Sequence, residues 1–412
     1  MRRVVITGMG LVSSLGNDLE TSFNRLHTYE NAVVNLKDLH KYEGLNSKLA
    51  SLADSFVIPS HYTRKTLRTM GSISIMALYA TEEALKQAGL KIGDEFSDEI
   101  SNGTTGVSYG SSFGSVEPVR DFANMLTNNE VMGINSSTYV KIMPQTTAVN
   151  ISLYLKTTGR LIPSGTACTS GSLSIGFSYE TIKSGLQDIM IAGGAEEFSP
   201  TEVAVFDTMF ATSCKNDTPK LTPSPFDKNR DGLVIGEGAG TLILEEYEHA
   251  KRRNAPIIAE IVGFGTNTDG THITQPNHIA MAKCMELALK SASLSSKDIG
   301  YINAHGTATM QGDLAETTAT QNVFGSNTPI SSLKSYVGHT LGACGSLEAI
   351  WSIMMMNSNW YAPTLNLNTP DETIGKLDYI MHEGREFSSD YIMSNNFAFG
   401  GINTSLIFKK FI

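Results

Sequence analysis

Short apolar runs of strand length alternate with longer segments of helical spacing along most of the chain. Residues 4–7 open it as a buried strand, followed by a glycine-containing loop that runs to Gly16. Residues 17–42 read as a helix and a surface segment. Residues 61–90 read as mostly helical, with Ala77, Ala80, Ala84, Leu85 and Ala88 at helical spacing. Residues 106–114 predict a buried strand ending in a small-residue turn, with bulky Phe113 inside that turn. Residues 136–155 predict a helix, and residues 159–162 lead on to a cysteine turn. Beyond Cys168, Ile175, Tyr179, Ile182 and Leu186 recur every three or four positions, so a helix follows the turn. A buried strand over 189–192 comes next, then a loop-rich or partly helical stretch over 199–213 and a strand over 241–245.

From Ile257 the pattern begins again. IIAEIVGFG is a strand closed by glycines, as VVITGMG is at the start. A helix over 279–291, a strand over 299–304, a strand over 330–332 and a helix over 342–356 follow. Strands over 391–395 and 404–408 end the series. This order predicts an α/β protein of two similar halves, residues 1–255 and 256–412, although no strong sequence repeat accompanies it.

Composition adds limits. A chain of 412 residues suffices for a large core and two domain-sized halves. The net charge of −10 argues against general nucleic-acid binding, and no apolar run approaches the length of a membrane span. The N-terminal MRRVVITGMGLVSSLG superficially resembles a signal peptide, but Gly8 and Gly10 break its apolar part. Cys168, Cys214, Cys284 and Cys344 have neither metal-type spacing nor disulfide-scaffold density, which predicts reduced thiols and a cytosolic location.

Candidate chemistry gathers in three glycine-rich stretches. Cys168 lies in PSGTACTSG, where small neighbours let a carbonyl and backbone N–H groups approach and a helix start favours the thiolate. A packing role is the alternative for a lone cysteine. His305 in NAHGTATMQGD and His339 in KSYVGHTLGACG stand at strand or helix ends, where α/β folds commonly place ligands. Asp313 and Glu316 follow the first histidine; Lys334 and Glu348 flank the second. Zinc binding by Cys168, His305 and His339 is open in principle, but structural zinc ligands usually come in close pairs. The DKNRDG stretch has the first ligands of a calcium loop and lacks its closing glutamate. Arg64, Lys65 and Arg68 form a basic cluster in an acidic protein, read either as a solvated face or as a docking patch. In NNFAFGGINTSLIF, a backbone N–H next to Gly400–Gly401 could serve an oxyanion hole; an ordinary turn is the alternative.

TACTSG, NAHGTAT, KSYVGHTLGACG and NFAFGGIN, with VVITGMG, AGGAEE and DGLVIGEGAG, resemble the β-ketoacyl-acyl-carrier-protein synthases along essentially the whole chain. The elongating type II branch is most similar. The resemblance implies a thiolase-like fold of two stacked α/β halves in αβαβα layers. It implies a homodimer, with a heterodimer alongside a chain-length subunit as the variant. Acyl carrier protein is the implied partner, and no metal or free cofactor is implied. Cys168 then resembles the acyl-accepting nucleophile, and His305 and His339 the pair that promotes decarboxylation of the malonyl unit. Lys334 resembles their supporting lysine. Phe399 resembles the gating residue whose N–H joins that of Cys168. Thr307 and Thr309 resemble pantetheine contacts, with Thr274, Phe397 and Phe113 as further substrate contacts. Asp313, Glu316 and Glu348 are supporting residues, and Arg64, Lys65 and Arg68 match the carrier-docking patch. Phe113 and the bulky EVAVFDTMFATS depart from the housekeeping pattern. They keep a specialised ketosynthase of an aryl-polyene or polyketide pathway open beside fatty-acid elongation. A non-catalytic chain-length subunit is disfavoured by the intact Cys168, His305 and His339.

Overall fold

The computed structural model describes residues 2–91 and 98–411. Among the described residues the main sheet has eleven strands, ten of them in two sets of five. The first five are β1 (Val4–Ser13), β2 (Thr105–Gly110), β3 (Leu161–Ser164), β4 (Ile189–Glu196) and β5 (Gly238–Glu246). They lie in the order β3-β2-β4-β5-β1, parallel from β3 to β4 and antiparallel from β4 to β1. The second five are β6 (Ala259–Thr268), β7 (Tyr301–Asn303), β8 (Pro329–Ser331), β9 (Tyr391–Ala398) and β10 (Ile402–Lys410). Their order, β8-β7-β9-β10-β6, and their strand directions repeat the first set. A two-residue strand, Asp378–Tyr379, extends the edge beside β8. The halves join where Val4–Ile6 of β1 pairs with Ala259–Ile261 of β6.

Six helices build the layers: α1 (Ser72–Gln87), α2 (Thr146–Leu155), α3 (Ser170–Lys183), α4 (His278–Ala292), α5 (Met310–Phe324) and α6 (Cys344–Ser358). Helices α1 and α2 cover the outer face of the first half, α4 and α5 that of the second, and α3 and α6 pack between them against strands of both. This is the αβαβα stacking expected of a thiolase-like fold. Both central helices are buried on nearly every side, with small serines such as Ser172, Ser174, Ser346 and Ser352 among their buried residues beside Ile175, Tyr179, Ile350 and Trp351.

The two central helices touch at their first turns. A side chain on Gly171 of α3 would meet the backbone nitrogen of Ser346 at 2.9 Å, and one on Gly345 of α6 that of Ser172 at 2.6 Å. Each helix is preceded by one 3-10 turn, Ala167–Thr169 or Leu341–Ala343. Each turn begins on a non-glycine residue with positive φ, Ala167 at 51° and Leu341 at 43°. The halves are thus related down to single positions, with Cys168 matching Gly342. Sequence comparison misses this because packing preserves shape and glycine placement, while the other side chains differ.

Some elements differ from expectation for local reasons. The helix expected over 136–155 is two, Ser136–Ile142 and Thr146–Leu155, because Met143 precedes Pro144 and is pushed out of the helical region, with ψ 137°. The segment over 61–90 holds a single turn, Arg64–Leu67, before α1. Helix α5 carries no apolar stripe: its buried face is Ala315, Ala319, Thr317 and Thr320 with the acids Asp313 and Glu316. Its periodicity is therefore invisible to a hydrophobic reading.

Candidate active site

Cys168 sits in the 3-10 turn immediately before α3 and is buried. The two histidines arrive from the other half. His305 follows β7, and its loop is held by α5: Glu316 accepts the N–H of His305 at 2.7 Å and of Gly306 at 2.6 Å. Asp313 takes the N–H of Ala308 at 3.1 Å, where Ala308 has a φ of +64°. Asp313 also accepts from Phe226 N–H at 2.8 Å and faces Arg230 Nε at 3.5 Å. His339 precedes the second 3-10 turn, and its N–H donates to the Val234 carbonyl at 2.7 Å.

The imidazole of His339 places Nε2 3.0 Å from the Cys168 sulfur. Its Nδ1 accepts the Leu341 N–H at 3.3 Å, so the proton belongs on Nε2. His305 Nδ1 faces the Lys334 ammonium at 3.1 Å, and since an ammonium only donates, His305 also carries its proton on Nε2. Lys334 is anchored in turn on Glu348 at 2.5 Å, and Glu348 accepts from Asn396 at 2.7 Å. One atom each of Cys168, His305 and His339 lies within 4.8 Å of the others. The imidazole rings stand nearly perpendicular, at 86°.

Electrostatics follow from burial. Desolvation, then the Lys334 charge, hold both imidazoles well below the ordinary histidine range, so they are neutral N–H donors at physiological pH. Burial opposes the Lys334 charge, but Glu348 beside it keeps the ammonium above its ordinary value. Burial pushes Asp313 up to about 6 and Glu316 up to about 8. The thiol departs from the sequence expectation: burial pushes Cys168 up to about 12, outweighing the pull of Lys334 and of the N–H groups of Cys168 and Phe399 on the sulfur. A raised thiol pKa favours the protonated form below it. Alkylation of Cys168 by iodoacetamide is therefore expected to accelerate about tenfold per pH unit from pH 7 to 10. A plateau near pH 8, read from the rate profile, would refute that.

The Cys168, His305 and His339 atoms are close enough to share a metal ion, but the Lys334 ammonium against His305 disfavours a dication. The calcium-like residues serve the fold: Asp227 accepts the N–H groups of Asn368 at 2.8 Å and Thr369 at 2.9 Å, and Asp231 accepts the Ser213 hydroxyl and the Cys214 N–H, each at 3.0 Å.

A cavity of about 370 Å³ opens onto Cys168 and both histidines. Thr274, Thr307, Thr309, Phe397 and Phe399 all line it. Thr309 also caps α5 through Gly312 N–H at 3.3 Å. Phe113 does not line this cavity and is 40% exposed. Arg64, Lys65 and Arg68 are exposed around the short helix Arg64–Leu67. The chain just before that helix is tied to α1 by Glu82, which accepts from Tyr62 at 2.7 Å and also from Tyr154 at 2.6 Å. Sequence reading did not single out Phe206, whose ring stacks on Phe399 at 5.0 Å and 27°, although it marked the surrounding segment as bulky. Within NFAFGGIN it assigned no role to Asn396, the residue that donates to Glu348.

Comparison with known proteins places this geometry. The family described as beta-ketoacyl synthase, N-terminal domain, matches residues 1–250, and its C-terminal domain matches residues 258–368. The 3-oxoacyl-[acyl-carrier-protein] synthase 2 of Vibrio cholerae is 37% identical over 417 residues, covering 99% of each chain. A beta-ketoacyl synthase crystal structure from Burkholderia phymatum is 55% identical, with a TM-score of 0.97 over 100% of both chains. A type II polyketide acyl-carrier protein in complex with its ketosynthase bound to the hexaketide is 29% identical, with a TM-score of 0.88 over 100% of both chains. With both family domains matched and relatives aligned end to end, this chain belongs to the β-ketoacyl synthase family.

Proposed function

We propose that the chain is a 3-oxoacyl-[acyl-carrier-protein] synthase of the elongating type, an acyltransferase that lengthens an acyl chain by two carbons in fatty-acid synthesis. The observation that carries this is the Cys168 sulfur 3.0 Å from His339 Nε2, with His305 held on Lys334 beside it. Cys168 attacks the carbonyl of a carrier-bound acyl thioester, and the carrier thiol leaves with the proton. The N–H groups of Cys168 and Phe399, both directed at the sulfur, stabilise the tetrahedral oxyanion. A malonyl thioester then enters. Its C–C bond to the carboxylate breaks, CO2 leaves, and the electron pair becomes an enolate. The Nε2–H groups of His305 and His339 bind the enolate oxygen, and because both rings are neutral they stabilise charge without quenching the carbanion. The carbanion attacks the acyl-cysteine, forming the new C–C bond and returning Cys168 as thiolate. The scheme assigns no step to a metal or redox cofactor; both substrates ride on phosphopantetheine.

Thr307 and Thr309 contact the pantetheine arm in this reading, with Thr274 and Phe397 beside it. Asp313 and Glu316 hold the His305 loop. Arg64, Lys65 and Arg68 meet the acidic carrier. Residues 1–255 and 256–412 act as the two halves. Strand β3 at the sheet edge, with Leu161 42% exposed, suits pairing with a second copy or with a chain-length subunit. Among the described residues no helix is long and apolar enough to cross a membrane, and we place the enzyme in the cytoplasm.

A specialised aryl-polyene or polyketide role is the second reading, favoured by the flat Phe206–Phe399 stack at the cavity wall beside Cys168. Intact mass after mixing with a panel of acyl carriers separates them. Loading of saturated chains across medium and long lengths is expected for elongation; loading by aryl or conjugated chains alone would assign the specialised role.

A further inference from the structure

The helix Pro200–Asp207 ends at the mouth of the cavity. The chain leaves it through Thr208, Met209 and Phe210, and Phe210 has a φ of +53°. Two backbone bonds fix that turn: Phe210 N–H donates to Asp207 O at 3.0 Å, and Ala211 N–H to Phe206 O at 3.0 Å. A left-handed residue after a helix is ordinarily Gly or Asn, because any other Cβ crowds its own backbone. A bulky aromatic residue in this conformation is an outlier. Packing does not compensate for it, since Phe210 is 88% exposed. Strain and exposure together at a cavity mouth point to a contact made outside the chain. Two apolar side chains from the other half stand at the same mouth, Ile273 at 71% exposed and Met310 at 55%.

We propose that Phe210, with Ile273 and Met310, forms an apolar seat for the body of the carrier protein that presents thioesters to Cys168. The proposal rests on the functional reading above, that Cys168 is loaded from a carrier. Cys168 lies inside the cavity, so a protein delivering a thioester must rest its body on the rim while its arm reaches inward. The arm covers the inner walls, Thr274 and Thr307 among them, and leaves the outward side of the Phe210 ring for the carrier itself. Arg64, Lys65 and Arg68 then govern encounter, and the apolar seat governs residence. Exposed aromatic anchors at a rim commonly dominate such contacts.

Phe210→Gly separates strain from function. Glycine adopts the left-handed conformation freely, so the melting temperature is expected to hold or rise. The ratio of kcat/KM for acyl groups on carrier to the same acyl groups on free pantetheine is expected to fall about tenfold, the order of one anchor residue. Phe210→Trp should restore it. An unchanged ratio in Phe210→Gly, or equal losses on both donors, would overturn the seat and leave the functional reading standing. Wild-type enzyme that transfers acyl groups from neither donor would overturn both.

Discussion

Cys168→Ala is expected to lower condensation by about 10⁴-fold or more, the scale of losing a covalent nucleophile. The variant removes the only sulfur that His339 contacts at 3.0 Å among the described residues. Cys168→Gln is the sharper variant, since its side-chain amide occupies the place of an acylated cysteine. It should keep releasing CO2 from malonyl carrier while forming no condensed product. The two readouts, CO2 release and product mass, separate the sulfur from the paired imidazoles. Unchanged condensation in Cys168→Ala would remove the covalent mechanism. Loss of CO2 release in Cys168→Gln would mean that the histidines do not act as an independent donor pair.

The second large effect concerns Lys334. It is buried with Glu348 and has His305 as its other partner. Lys334→Met should destabilise the protein by about 3–5 kcal/mol, because a buried carboxylate is left uncompensated. The sign of the pH dependence follows from Glu348. Its pKa already stands above the ordinary carboxylate value through burial, and removing the cation raises it further. The protonated form is then favoured in the native state. The penalty is small at acid pH and grows as pH rises through the interval between the ordinary and the raised value. Pairing Lys334→Met with Glu348→Gln should recover most of the stability in thermal melts between pH 5 and 8. Decarboxylation should stay low in the double variant, because His305 Nδ1 has lost the donor that fixes its tautomer. Recovery of decarboxylation along with stability would show that Lys334 serves packing alone.

The sequence carried the core strands and the chemistry well, for physical reasons that differ. Strand β4 is buried along its whole length, and its opening residues Ile189–Ala192 read as an uninterrupted apolar run. Cys168, His305 and His339 each stand in a tight turn, and such turns need small or glycine residues that mark the chain locally. What the chain did not disclose is relational. Helix α5 buries small and acidic side chains, because its task is to hold the His305 loop. The Phe206 stack on Phe399 joins positions 193 residues apart, and no local pattern encodes such a meeting. Phe113 is marked in the sequence by its bulk in a small-residue turn, and in the folded chain it stands 40% exposed outside the lining of the cavity at Cys168. The thiol of Cys168 was expected to be activated by the helix start; full burial outweighs that field.

The two halves offer two equivalent elbows, and only one bears a nucleophile. At Gly342, the position matching Cys168, an added Cβ would stand 2.7 Å from Ser112 N and 2.8 Å from Glu196 Oε2. Glu196 accepts the N–H groups of Ser112 and Gly342, each at 2.9 Å, and closes that elbow around backbone alone. The duplicated scaffold is therefore single-handed. Each chain can carry one acyl group at a time, and a saturating acyl donor should label it with a stoichiometry of one.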